Sequence, residues 1–182
     1  MLRHTLTVTA LCSLLSGCMF YQSYPDTWAK PDYANSGCDA LTGRYAAQGE
    51  SADRDLPSGA SLPGLLRQPT LSQADQIDLH YADGRLRMTG YLQDTQQWEI
   101  AFSRADGTLA CGSGGAMLKS DFGMAEGQGN PLVGVVSSSL RVQRAADGAL
   151  VATQSEHAAG LVFMFLPVVA GESRLYRFAA VR

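Results

Sequence analysis

From Ile77 onward, apolar and polar residues alternate with a period of two. Ile77, Leu79 and Tyr81 alternate with Asp78 and His80. Leu86, Met88 and Leu92 alternate with Arg85, Arg87 and Thr89, and Trp98, Ile100 and Phe102 with Glu99 and Ser103. Leu140 and Val142 alternate with Arg141 and Gln143, while Tyr176 and Phe178 flank Arg177. Successive side chains of a strand point to opposite faces, so each run predicts a strand with one face buried. Ala82-Asp83-Gly84, Ala105-Asp106-Gly107 and Ala146-Asp147-Gly148 separate such runs, and each leads, one residue on, to a leucine: Leu86, Leu109 and Leu150. Asp-Gly accepts the positive φ angles of a tight hairpin. The repeated phrase predicts an antiparallel meander, and its uneven spacing argues against a solenoid.

Elsewhere the pattern is less regular. Residues 161–170 form the most apolar run and contain Pro167. They are too few for a membrane-spanning helix and predict a buried strand ending near the proline. Residues 121–136, with Gly123, Gly127, Gly129, Pro131 and Gly134, read as a glycine-rich connection, and residues 51–76 mostly as loop. Within that loop, Ser61 is placed to cap a short helix whose Leu62, Leu65 and Leu66 share a face. The expectation is a mainly all-β fold: a single antiparallel meander of about eight strands, a small barrel or a sandwich, with at most one short helix.

The amino terminus has a different logic. Arg3 and His4 precede an apolar stretch over residues 6–15, which ends in Leu15-Ser16-Gly17-Cys18. A charged start, a short apolar core and small residues before a cut describe a secretory signal. The last four residues resemble the lipobox of bacterial lipoproteins. That resemblance implies cleavage before Cys18, a diacylglyceryl thioether on its sulfur, and a third acyl chain on the new amino group. It also implies processing and sorting machinery as partners, membrane lipid as the anchor, and residence in the envelope. In such lipoproteins an aspartate after the cysteine retains the protein at the inner membrane; here Met19 follows, which points to the outer membrane. The chain accordingly divides into a signal (1–17), a lipidated N-terminus and tether (18–37) and a β domain (38–182). The aromatics of the tether, Phe20, Tyr21, Tyr24, Trp28 and Tyr33, pack on the domain or rest at lipid headgroups, with a binding role as the less favoured alternative.

Four cysteines are present. Cys12 leaves with the signal and Cys18 carries lipid. Cys38 and Cys111 remain, and in an oxidising envelope two such cysteines tend to pair. The expected Cys38–Cys111 bridge competes with two separate buried thiols. Neither Cys-x-x-Cys nor clustered histidine accompanies them, so no metal or cofactor is expected.

Charge adds an exclusion. The formal charge is −3, and loss of Arg3 makes it one unit more negative. With no Lys/Arg cluster, nucleic acid is not an expected partner.

Two weaker resemblances bear on the domain. Thr42-Gly43-Arg44-Tyr45 is similar to the Gly-x-Trp opening of lipocalins, with Tyr45 in place of tryptophan. Cys38, Leu41-Thr42-Gly43-Arg44-Tyr45, Cys111-Gly112 and Asp147-Gly148-Ala149-Leu150 together resemble small lipoproteins of the Gram-negative envelope, a resemblance that implies no activity.

Candidate chemistry is sparse. His80 and His157 survive processing, and each reads as a solvated surface histidine. Cys111-Gly112-Ser113-Gly114-Gly115 has some likeness to the segment around a trypsin-like nucleophile, but lacks its aspartate; a glycine-rich turn or bulge beside a disulfide is the plainer reading. Gly127-Gln128-Gly129 does not continue as a dinucleotide fingerprint. Glu50, Asp53 and Asp55 lack calcium-loop spacing. Three functions follow in order of preference. The first is a non-catalytic binding or structural module anchored in the envelope, with an envelope protein as a candidate partner. The second is a lipocalin-like carrier of a small apolar ligand, lined by Trp98, Ile100, Phe102, Phe163 and Phe165. The third is a serine hydrolase using Ser113 and a histidine.

Overall fold

The computed structural model describes residues 18–53, 60–66, 74–126, 132–162 and 166–181. The signal segment with Cys12, and also Asp55, Gly127, Gly129, Phe163 and Phe165, lie outside the described residues. The fold is all-β, as the alternation predicts. The described residues form eleven strands: β1 (Cys18–Tyr21), β2 (Gly43–Ala46), β3 (Glu50–Ser51), β4 (Gln76–Ala82), β5 (Arg85–Leu92), β6 (Thr95–Ser103), β7 (Leu109–Gly112), β8 (Gly115–Glu126), β9 (Leu132–Arg144), β10 (Leu150–Val162) and β11 (Leu166–Phe178). Three short strands, β1, β3 and β7, account for the excess over about eight; pieces of two to four residues carry no periodic signal.

The strands form two sheets. One follows the order β2-β4-β5-β6; the other follows β1-β11-β10-β9-β8-β7, with β3 also paired to β11. Both are open, so the barrel alternative is not realised. The short β1 and β3 join the larger sheet through β11. The meander holds over β4–β6 in one sheet and β7–β11 in the other, and the chain passes between these two runs from β6 to β7. There Ala105-Asp106-Gly107 makes no hairpin. Gly107 has φ 76°, and the Asp106 carboxylate accepts from the Thr108 amide and hydroxyl at 2.9 and 2.6 Å. That local turn turns the chain out of the first sheet and into the second.

The other two Asp-Gly turns close hairpins. Asp83 and Gly84 have φ 51° and 74° between the paired residues Ala82 and Arg85, the mirror-image turn that suits the twist of paired strands. The β5–β6 hairpin uses Gln93 and Asp94, at φ 50° and 61°, although neither is glycine.

A single core lies between the sheets. Ile77, Leu79, Leu86, Met88 and Phe102 from one meet Leu118, Leu140, Val142, Leu150 and Phe178 from the other. The four-residue helical turn Leu62–Leu65 closes one side. Ser61 Oγ accepts from the Gly64 amide at 3.0 Å, and Leu62, Leu65 and Leu66 are buried, as their spacing predicts. Tyr45 is buried too, its hydroxyl donating to the Leu41 carbonyl at 3.0 Å; burial raises its pKa. At Gly90 the close approach of the Trp98 indole leaves no room for a Cβ.

Two expectations change. Residues 121–136 are mostly strand, because β8 and β9 pair from Ala116↔Val142 to Glu126↔Val133. Cross-strand pairing overrides the weak strand propensity of glycine there. Residues 161–170 are not one buried strand. β10 runs to Val162 and β11 begins at Leu166, with Val162 paired to Leu166 and Pro167 inside β11. Leu161 and Val169 are exposed, since among the described residues no second layer covers this end of the sheet.

Candidate functional site

Residues 18–37 lie along the domain. β1 pairs in parallel with β11, placing Cys18 opposite Ala170 and Tyr21 opposite Ser173. The Gln22 side chain continues this contact by accepting from the Leu175 amide at 2.9 Å. Tyr24 and Trp28 meet edge to face at 5.9 Å, and the Tyr24 hydroxyl donates to the Ala29 carbonyl at 2.6 Å. Trp28 is buried, and Tyr24 packs on Ala145, Ala149 and Val151. Phe20, Tyr21 and Tyr33 remain exposed. Tyr24 and Trp28 thus pack on the domain, as one of the expectations had it, while Phe20, Tyr21 and Tyr33 face outward.

Cys38 and Cys111 form a disulfide with Cα atoms 5.6 Å apart. It joins the 3-10 turn Cys38–Leu41 to β7 at the end of the larger sheet. Cys38 is buried in the core and Cys111 packs against it.

The register of β9, β10 and β11 defines an apolar end to the larger sheet. Val136, Ala158 and Ala170 share a row, and the ladder continues to Leu132, Val162 and Leu166 with no polar residue contributed to these rows by the three strands. On one face Val133, Val135, Ala159, Leu161, Pro167 and Val169 are all exposed. The four large residues among them, Val133, Val135, Leu161 and Val169, are 42–55 % exposed. Immediately behind this end the chemistry changes. Ser155 and Ser173 hydroxyls lie 3.3 Å apart, Arg174 Nε donates to Glu172 at 2.6 Å, and Gln154 donates to Glu156 at 3.0 Å. No local sequence pattern marks this end, because it is assembled from three strands; the signal available was the run 161–170 itself.

A polar hollow of about 440 Å³ lies on the outer face of the smaller sheet, lined in part by Arg44, Asp78, His80, Arg87, Tyr91 and Glu99. Arg44 donates from Nε and Nη2 to the two Asp78 oxygens at 2.7 and 2.9 Å and lies over the Tyr91 ring at 5.0 Å. The hydrogen bond from Asp78 raises the Arg44 pKa. Arg87 pairs with Glu99 at 3.3 Å. The principal charges of this face thus neutralise one another.

The residues weighed for catalysis are separated. His80 is exposed on β4 opposite Arg87. His157 lies within β10, well away from a turn, opposite Ser137 and Gly171. Ser113 occupies the two-residue β7–β8 turn between Gly112 and Gly115, the glycine-rich turn that the sequence suggested. Among the described residues no hydrogen bond joins Ser113 to either histidine, and no cluster of three or more His, Cys, Asp or Glu could hold a metal. Of the proposed carrier lining, Phe102 is core, and Trp98 and Ile100 pack partly buried against it. Glu50 instead accepts from Arg177 at 2.9 Å.

No family model, curated protein or solved structure matches the chain. Among the described residues no helix is long and apolar enough to cross a membrane.

Proposed function

We propose that the protein is a bacterial envelope lipoprotein, cut before Cys18 and held by acyl chains on that residue, whose β domain is a non-catalytic binding or structural module. The observation that carries this reading is the Leu15-Ser16-Gly17-Cys18 segment after a short apolar stretch. The Cys38–Cys111 bridge supports it, because disulfides persist in oxidising compartments outside the cytosol. Met19 in the position after the acylated cysteine favours the outer membrane. Each buried methylene contributes ~0.8 kcal/mol, and a single chain binds only marginally, so two or three chains make a firm anchor.

The β domain would act as a fixed surface. On the outer face of the smaller sheet, the Arg44–Asp78 and Arg87–Glu99 pairs hold polar groups in set positions, which suits docking of an envelope protein. Substituting Cys18→Ser in the full chain tests the anchor. The variant should fail to incorporate labelled palmitate and should leave the membrane fraction. Retention of label and of fractionation would overturn the reading.

A further inference from the structure

We infer that the apolar end of β9–β11 is a second membrane contact, seated at the boundary of headgroups and acyl chains beside the acylated Cys18. The inference rests on the anchor reading and adds an orientation to it. The first observation is the exposed face formed by Val133, Val135, Ala159, Leu161, Pro167 and Val169. These residues come from three adjacent strands in two alternate rows of the ladder, Val135↔Ala159↔Val169 and Val133↔Leu161↔Pro167, which share a face. Among the described residues no layer covers this patch.

The second observation says what covers it. β1 is parallel to β11 and begins at Cys18 opposite Ala170, in the first row of the apolar end. Acyl chains on Cys18 therefore enter the bilayer at the base of this patch. A diffusing protein could turn any surface to the membrane; one tethered at this row presents these strands. Phe20 and Tyr21, 59 % and 61 % exposed, follow Cys18 directly. Aromatic side chains favour the headgroup level.

Geometry sets the depth. Four residues separate the Ala170 row from the Leu166 row, about 13 Å at the ~3.3 Å rise of a strand, just under the ~15 Å of one hydrocarbon leaflet. Full immersion is disfavoured by two features. Among the described residues β1 covers β11 only from Ala170 onward, and no other described strand pairs with residues 166–169 on that side; open sheet edges are excluded from hydrocarbon. On the opposite side β8 ends at Glu126, paired with Val133. The acid and the anchor lie at opposite sides of the same end, so the sheet leans with β11 toward the lipid and β8 toward water. The polar residues behind the patch, Ser155, Ser173, Glu172 and Arg174, fall at the level of solvent and headgroups.

The test uses the full chain, acylated by its host and reconstituted in vesicles of phosphatidylethanolamine and phosphatidylglycerol, with acylation read by mass. Leu161→Trp places a reporter on the exposed patch, and Gln97→Trp places one on the exposed β5–β6 end of the other sheet. The added emission is measured over the unsubstituted protein, which carries Trp28 and Trp98. Bromine-labelled phospholipid should quench the reporter at position 161 by roughly half, as expected at the acyl boundary, and leave that at position 97 unchanged. Iodide in the aqueous phase should do the reverse. If position 161 is quenched by iodide as freely as position 97 while the protein is acylated, the patch faces water and the inference fails with the anchor intact. Protection from both quenchers means that another protein, including a second copy, covers the patch, and the inference fails likewise. Absence of acyl mass on Cys18 removes the anchor reading and this inference with it.

Discussion

Reducing the Cys38–Cys111 bridge should lower stability by an amount set mainly by the loop it closes. The two residues are 73 apart in sequence. In the chain-entropy model a loop of about that length loses ~15 cal/mol/K in the unfolded state, or about 4.4 kcal/mol at 25 °C. A domain of about 150 residues unfolds with an entropy near 0.3 kcal/mol/K, so the melting temperature should fall by ~14 °C. The structural expectation has the same sign: β7 is four residues long, ends the path of the larger sheet, and is tied by the bridge to the turn that opens the domain. The assay is a thermal melt of the mature protein carrying Cys18→Ser, with and without reductant. Reduction removes no heavy atom and so tests the bond without deleting side-chain volume. A Cys38→Ala/Cys111→Ala variant should melt within a few degrees of the reduced protein. Coincident melts of oxidised and reduced protein, or two free thiols in the oxidised form, would refute the reasoning.

Three further outcomes are expected. Gly90→Ala should destabilise by about 1–3 kcal/mol, because a methyl there overlaps the Trp98 indole and forces it to move; a denaturant midpoint equal to the parent's would show that the ring is free to shift. Replacing Gln93-Asp94 by Asn-Gly should stabilise by about 1 kcal/mol, since both residues hold positive φ at a cost; no gain in chemical denaturation counts against the turn geometry. Asp147 accepts from Arg177 at 2.6 Å, and that hydrogen bond holds its pKa below the usual carboxylate range. Its contribution is therefore complete above the unfolded pKa of about 4 and is lost as pH falls through the lower folded value. Asp147→Asn should flatten that acid limb of the stability profile by at most about 1 kcal/mol, the pair being partly exposed; an unchanged limb would assign it to other carboxylates.

Much of the local structure was written in the chain. Ile77 and Leu79 are buried while His80 is exposed, Asp83-Gly84 turns with two positive φ angles, and Ser61 caps its helical turn. Each is decided within a few residues, by side-chain alternation, by tolerance of left-handed backbone, or by reach from hydroxyl to amide. The cysteine pairing was legible by a different route: if the signal is removed and Cys18 acylated, as the lipobox resemblance implies, two thiols remain with one natural partner each.

What the sequence could not determine is adjacency. A period of two says which face a residue occupies and nothing about which strand lies beside it, so the same Asp-Gly phrase closes a hairpin at Gly84 and changes sheets at Gly107. β1 pairs with β11 across most of the chain, and no local rule anticipates that partner. Burial is likewise collective. Leu140 and Val142 are covered by the second layer, whereas Val133 and Val135, on the same strand, are not, since hydrophobic side chains are buried only where another surface meets them. The apolar run at residues 161–170 therefore identified the unusual segment, and only the tertiary arrangement placed its Leu161, Pro167 and Val169 on one exposed face, with Cys18 paired opposite Ala170.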